Sequence, residues 1–63
     1  MAATITRYAV YWEGDQQAEF PTRAEAREYM ERDIAGMAEA YDKTKKWVRE
    51  HFRWEIEKVT YTK

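Results

Sequence analysis

The chain has 63 residues, no cysteine, and a formal net charge of −1 from twelve acids and eleven bases. At this length one small domain with a marginal core is expected, and the missing cysteines exclude disulfides and thiolate metal sites. No apolar run is long enough to cross a bilayer, and Met1-Ala2-Ala3-Thr4 has no basic segment leading into an apolar one. Neither a membrane span nor a signal peptide is therefore expected, and a cytoplasmic setting fits.

The apolar complement is unusual. Leucine, serine and asparagine do not occur, and isoleucine, valine and phenylalanine together supply only eight residues. So few aliphatics border on the composition of disordered chains. Five tyrosines, three tryptophans and two phenylalanines, with Met30 and Met37, supply the missing buried area. Charge is segregated along the chain. Residues 13–42 carry nine acids against three arginines, whereas residues 43–63 carry seven bases against three acids.

In chain order, Thr4 to Trp12 is rich in β-branched and aromatic residues and reads as a strand. Alternation puts Thr4, Thr6, Tyr8, Val10 and Trp12 on one face, and Ile5, Arg7, Ala9 and Tyr11 on the other. Glu13-Gly14-Asp15-Gln16 reads as a turn, and Gln17 to Phe20 as a short edge strand closed by Pro21. Thr22-Arg23-Ala24-Glu25 is a capping box that starts a helix. Its apolar positions are Ala26, Tyr29, Met30, Ile34, Met37, Ala40, Tyr41, Thr44, Trp47, Val48, His51 and Phe52, which fall within one arc.

An unbroken helix over residues 23–51 would be about 43 Å long, against an expected radius of gyration of about 11 Å. Half of it would overhang the sheet, so either the helix breaks or a partner buries its distal half. Gly36 and Tyr41-Asp42-Lys43-Thr44 are the candidate breaks; a break near 41–43 is favoured, with Asp42 capping a second helix. Arg53 to Thr62 reads as the last strand. Phe52, Trp54 and Ile56 share one phase and Val59 and Tyr61 the other, which a bulge near Glu57-Lys58 or apolar demand on both faces explains. The expected class is α+β: a small, mainly antiparallel three-stranded sheet with one long or broken amphipathic helix on one face, ββαβ or ββααβ. A straight helix implies an antiparallel sheet in the order 2-1-3. A two-helix hairpin implies a last strand parallel to the first.

The chemistry is sparse. His51 is the single histidine, too few for a metal site without cysteine, and reads as a dipole partner at a helix end or a half-buried core residue. No nucleophile and base are spaced for catalysis, and the paired carboxylates Glu28 and Glu31, or Glu55 and Glu57, lie on exposed faces by pattern. The expectation is a non-enzymatic protein without cofactor or metal. Asp33 falls inside the apolar arc and calls for a partner such as Arg7, Lys45 or a tyrosine hydroxyl, unless the arc is open there because another protein covers it or the helix twists away.

Binding is the remaining reading. Glu25, Glu28, Glu31, Glu39 and Asp42 form an acidic row on the outer side of the first half of the helix. With Tyr11 and Trp12 as aromatic anchors, that row suits a basic surface on another protein. The same acids also stabilise the helix itself, by complementing its dipole and through the pairs Glu28–Arg32, Glu39–Lys43 and Asp42–Lys46. An alternative is a nucleic-acid module using Lys43, Lys46, Arg49 and Arg53 on one helical side with Trp54 to stack, although the acidic total argues against it. A third reading is a homodimer closed through the bare face of the sheet. In size and layout the chain resembles the very small proteins of phages and mobile elements, anti-CRISPR inhibitors among them. That resemblance implies a protein that binds and blocks a larger host complex.

Overall fold

The computed structural model describes residues 3–62. Met1 and Ala2, part of the segment read as lacking a signal sequence, and Lys63, counted with the basic end, lie outside the described residues. The elements are β1 (Thr4–Trp12), β2 (Asp15–Phe20), α1 (Arg23–Tyr41), α2 (Lys45–His51) and β3 (Trp54–Thr62). They build an α+β fold with one antiparallel sheet in the order β2-β1-β3.

The β1–β2 connection is tighter than the sequence suggests. Glu13 and Gly14 both take positive φ, 51° and 86°, and Trp12 already pairs with Asp15. Two left-handed residues are what a two-residue hairpin needs to follow the twist of its strands. The register then slips by one residue, because Val10 faces Ala18 while Tyr11 faces Gln16. This bulge leaves Gln17 unpaired and keeps Ala18 and Phe20 on the side of Val10 and Tyr8. β3 pairs with β1 without interruption from Thr4↔Thr62 to Trp12↔Trp54. The bulge considered at Glu57-Lys58 is absent. Trp54 and Ile56 face the helices, and Val59 and Tyr61 face the other way.

α1 begins where the capping box places it: Thr22 is extended, and its Oγ1 accepts from the Glu25 N–H at 3.2 Å. The helix passes through Gly36 unbroken and stops at Tyr41. Asp42 is left-handed (φ 55°, ψ 46°), with its N–H bonded toward Glu39 and the Lys43 N–H toward the Ala38 carbonyl at 2.9 Å. These two bonds satisfy the last carbonyls in the manner of a Schellman motif. Asp42 therefore ends α1, and it is Thr44 that caps α2, its Oγ1 accepting from the Trp47 N–H at 3.0 Å.

The break did not make β3 parallel to β1. α2 has seven residues, about 10 Å of rise, enough to retrace only the part of α1 that overhangs the hairpin turn. The chain therefore rejoins the sheet at the Trp12 level and runs back along β1. At the other end β2 stops opposite Tyr8, so the β1–β3 ribbon extends alone over residues 4–7 and 59–62. The two overhangs account for principal extents of 51 × 19 × 14 Å and a radius of gyration of 13.8 Å.

The core is small. Ile34, Ala38 and Val48 are buried together, with Met30, Met37, Trp47, Phe52 and Trp54 packed around them. Val10, Ala9 and Ala26 are also fully buried. Ala38, absent from the predicted stripe, is in the core; Tyr41, included in it, is 52% exposed. The distal half of α1 is thus covered by α2 of the same chain. Asp33 is only half-buried, and among the described residues no buried charged group occurs, so the predicted buried pair does not form.

Candidate binding surfaces

Three surfaces emerge. The first lies at the base of α1, where β2 hands over to the helix. Phe20 ends β2 on its helix-facing side, and Tyr29 sits two turns into α1. Their rings meet at 5.3 Å, tilted by 46°. With Glu25, Glu28 and Arg32 they line a shallow cavity of about 220 Å³. Glu28 bonds Arg32 one turn on, at 3.1 Å, with both side chains mostly in solvent. A surface pair of this kind contributes at most about 0.5 kcal/mol and opens easily.

The acidic row is only partly free. Glu31 pairs with Arg49 of α2, and so ties the two helices together. Glu39 is exposed, and Asp42 has left the helical path. The pairs Glu39–Lys43 and Asp42–Lys46 do not form among the described residues, because the left-handed Asp42 destroys the helical spacing they need. The two aromatic anchors separate. Tyr11 lies half-buried on the open face of the sheet. Trp12 points the other way, its ring 5.5 Å from that of Phe52, and is packing for the helices instead of an exposed anchor.

The second surface is that open face, carrying Ile5, Arg7, Ala9, Tyr11, Glu19, Glu55, Glu57, Val59 and Tyr61 by register. Glu19 organises it. One carboxylate oxygen accepts from the Tyr61 hydroxyl at 2.7 Å, and the other is 3.5 Å from Arg7 Nε. The hydrogen bond to Glu19 favours the neutral phenol and, with some burial and the repulsion of that carboxylate, raises the Tyr61 pKa above its ordinary value of 10.0. Sequence reasoning missed this trio. The alternation placed Arg7 on this face, but only the β1–β2 register brings Glu19 to it.

The third surface is the tip formed by the α1–α2 turn and α2. The predicted basic helical side does not exist as one row: Lys43 lies in the turn, Lys46 and Arg49 on α2, and Arg53 beyond the Phe52 cap. Arg49 is held by Glu31, and Arg53 bonds Glu55 at 2.9 Å. Trp54, expected to stack on a base, is half-buried and donates its ring N–H to the Val48 carbonyl at 3.4 Å. What the tip does carry is an aromatic group: Trp47 stacked on His51 at 4.3 Å and 11°, with Tyr41 at 6.2 Å and the Lys43 Nζ 5.4 Å from the Trp47 ring centre. His51 is exposed in the last turn of α2, where a cation suits the dipole, but its main contact is this ring.

Among the described residues no three metal-ligating side chains come together, and no helix is long and apolar enough to cross a membrane. The chain is a small α+β fold with one shallow groove, an open sheet face and an aromatic tip. Comparison with known proteins adds no relative: no family model, no curated protein and no solved structure matches the chain.

Proposed function

We propose that this is a non-enzymatic protein-binding module that docks the base of α1 on a basic surface of a larger partner. The observation that supports it is the Phe20–Tyr29 ring pair set between Glu25 and Glu28 in an open cavity. Aromatic faces and carboxylates together suit the stem and head of an arginine or lysine, with Arg32 released from Glu28 as the incoming cation takes its place. Glu39 extends the acidic side along the helix. The size and layout fit a phage or mobile-element inhibitor that occludes a host complex in the cytoplasm.

Affinity capture from the native host cell, with the partner identified and then purified, tests the reading. Glu25→Lys with Glu28→Lys reverses the charge of the groove and leaves the Glu31–Arg49 tie intact. Loss of the purified complex, with unchanged circular dichroism and with Glu57→Lys still binding, supports the assignment. Undiminished binding by the double reversal rejects it.

A further inference from the structure

The groove leaves the third surface unused. Residues 41–53 contain five bases and two acids, Asp42 and Glu50, inside a chain whose total is −1. The structure divides the bases into two sets. Arg49 pairs with Glu31 and Arg53 with Glu55. Lys43, Lys45 and Lys46 are exposed, and among the described residues none of them joins an ion pair. These lysines surround the exposed rings. Tyr41 is 52% exposed, one of the two large apolar side chains most open to solvent among the described residues. The Trp47–His51 stack turns the exposed His51 outward as its last plane.

We propose that this tip binds single-stranded nucleic acid, with Lys43, Lys45 and Lys46 on the phosphates and Tyr41 and His51 stacking on bases. Unpaired cations beside flat rings match a polyanion that carries a flat ring on every repeat. A folded duplex hides its base faces, so it offers the tip only its phosphates. The acidic groove of α1 in a second copy offers carboxylates to the lysines, but its Phe20 and Tyr29 rings are half-buried against each other, and so it leaves Tyr41 and His51 without a flat partner. Trp47 does not stack directly, because it is half-buried, with His51 flat against it and Lys43 and Tyr41 crowding its ring; it acts as a positioning residue for the His51 ring.

The test is fluorescence anisotropy of labelled oligo-dT and oligo-U strands of roughly ten nucleotides, titrated with the whole chain at low salt. Binding to either strand is expected, with a log–log salt slope of about −2 for three phosphate contacts. Reversal of Lys43, Lys45 and Lys46 to glutamate should abolish it, Tyr41→Ala should weaken it about tenfold, and Lys58→Glu on β3 should leave it unchanged. No binding to either strand at low salt overturns the proposal. So does equal affinity for a duplex, or indifference to Tyr41→Ala in a variant that keeps the wild-type circular dichroism. Sedimentation showing a dimer dispersed by the same three lysine reversals, without oligonucleotide binding, assigns the surface to a second copy and also overturns it.

Discussion

Glu13 clasps Arg53 across 40 positions of sequence. Its N–H donates to the Arg53 carbonyl at 2.9 Å, and its carboxylate accepts the Arg53 N–H at 2.7 Å. The pair continues the β1–β3 ladder one step past Trp12↔Trp54. The left-handed Glu13 is committed to the hairpin, and its side chain serves the Arg53 N–H where a regular ladder would use a backbone carbonyl. Glu13→Ala should destabilise the fold by about 1 kcal/mol and Glu13→Gln by less, because the amide oxygen still accepts. Urea denaturation followed by circular dichroism measures both; equal losses would mean that the acceptor does not matter.

The two residues considered as helix breaks should respond in opposite ways to the usual rule. Gly36 lies within α1 with open space where a Cβ would go. Gly36→Ala should therefore stabilise by about 1 kcal/mol. Asp42 is left-handed, a conformation that costs most side chains about 1 kcal/mol or more. Asp42→Gly should raise the thermal midpoint and Asp42→Val should lower it. A stabilising Asp42→Val would show that the turn is not left-handed in solution.

Tyr61 should ionise above the ordinary phenol range. The Glu19 carboxylate holds its proton, so its folded pKa lies above the unfolded value. The sign follows: the contact contributes to stability below the ordinary phenol range and is lost as pH rises through the raised folded value. Titration of phenolate absorbance should show a late component that disappears in Tyr61→Phe and moves down in Glu19→Gln. Absence of any late component in the native protein would place Tyr61 apart from Glu19.

Ile34 carries much of the buried aliphatic area in a chain that has little of it. It is fully buried with Ala38 and Val48, under a rim of aromatics. Ile34→Ala should cost roughly 2–5 kcal/mol, and Ile34→Val about 1 kcal/mol. A domain this small has only a few kcal/mol in hand, so the alanine variant should be largely unfolded and the valine variant folded with a lower urea midpoint. A folded, wild-type-like Ile34→Ala would locate the core elsewhere.

The strands and the start of α1 were legible along the chain, because their causes are local. β-branched alternation made β1, Thr22 and Glu25 started α1, and the change of periodicity after Phe52 marked β3. The length of the helical stripe called for either a break or a partner over its distal half, and the structure has the break, at Asp42. Tertiary structure decided what depends on register and reach. The length of α2 set the direction of β3, against the expectation drawn from a two-helix hairpin. Strand register joined Glu19 to Arg7 and Tyr61 and turned Trp12 inward onto Phe52. Helix docking spent Glu31 and Arg49 on an internal pair and brought Phe20 to Tyr29 at the groove. Charges and rings can be counted along a chain, but whether a charge faces a partner or its own neighbour depends on contacts between residues distant in sequence.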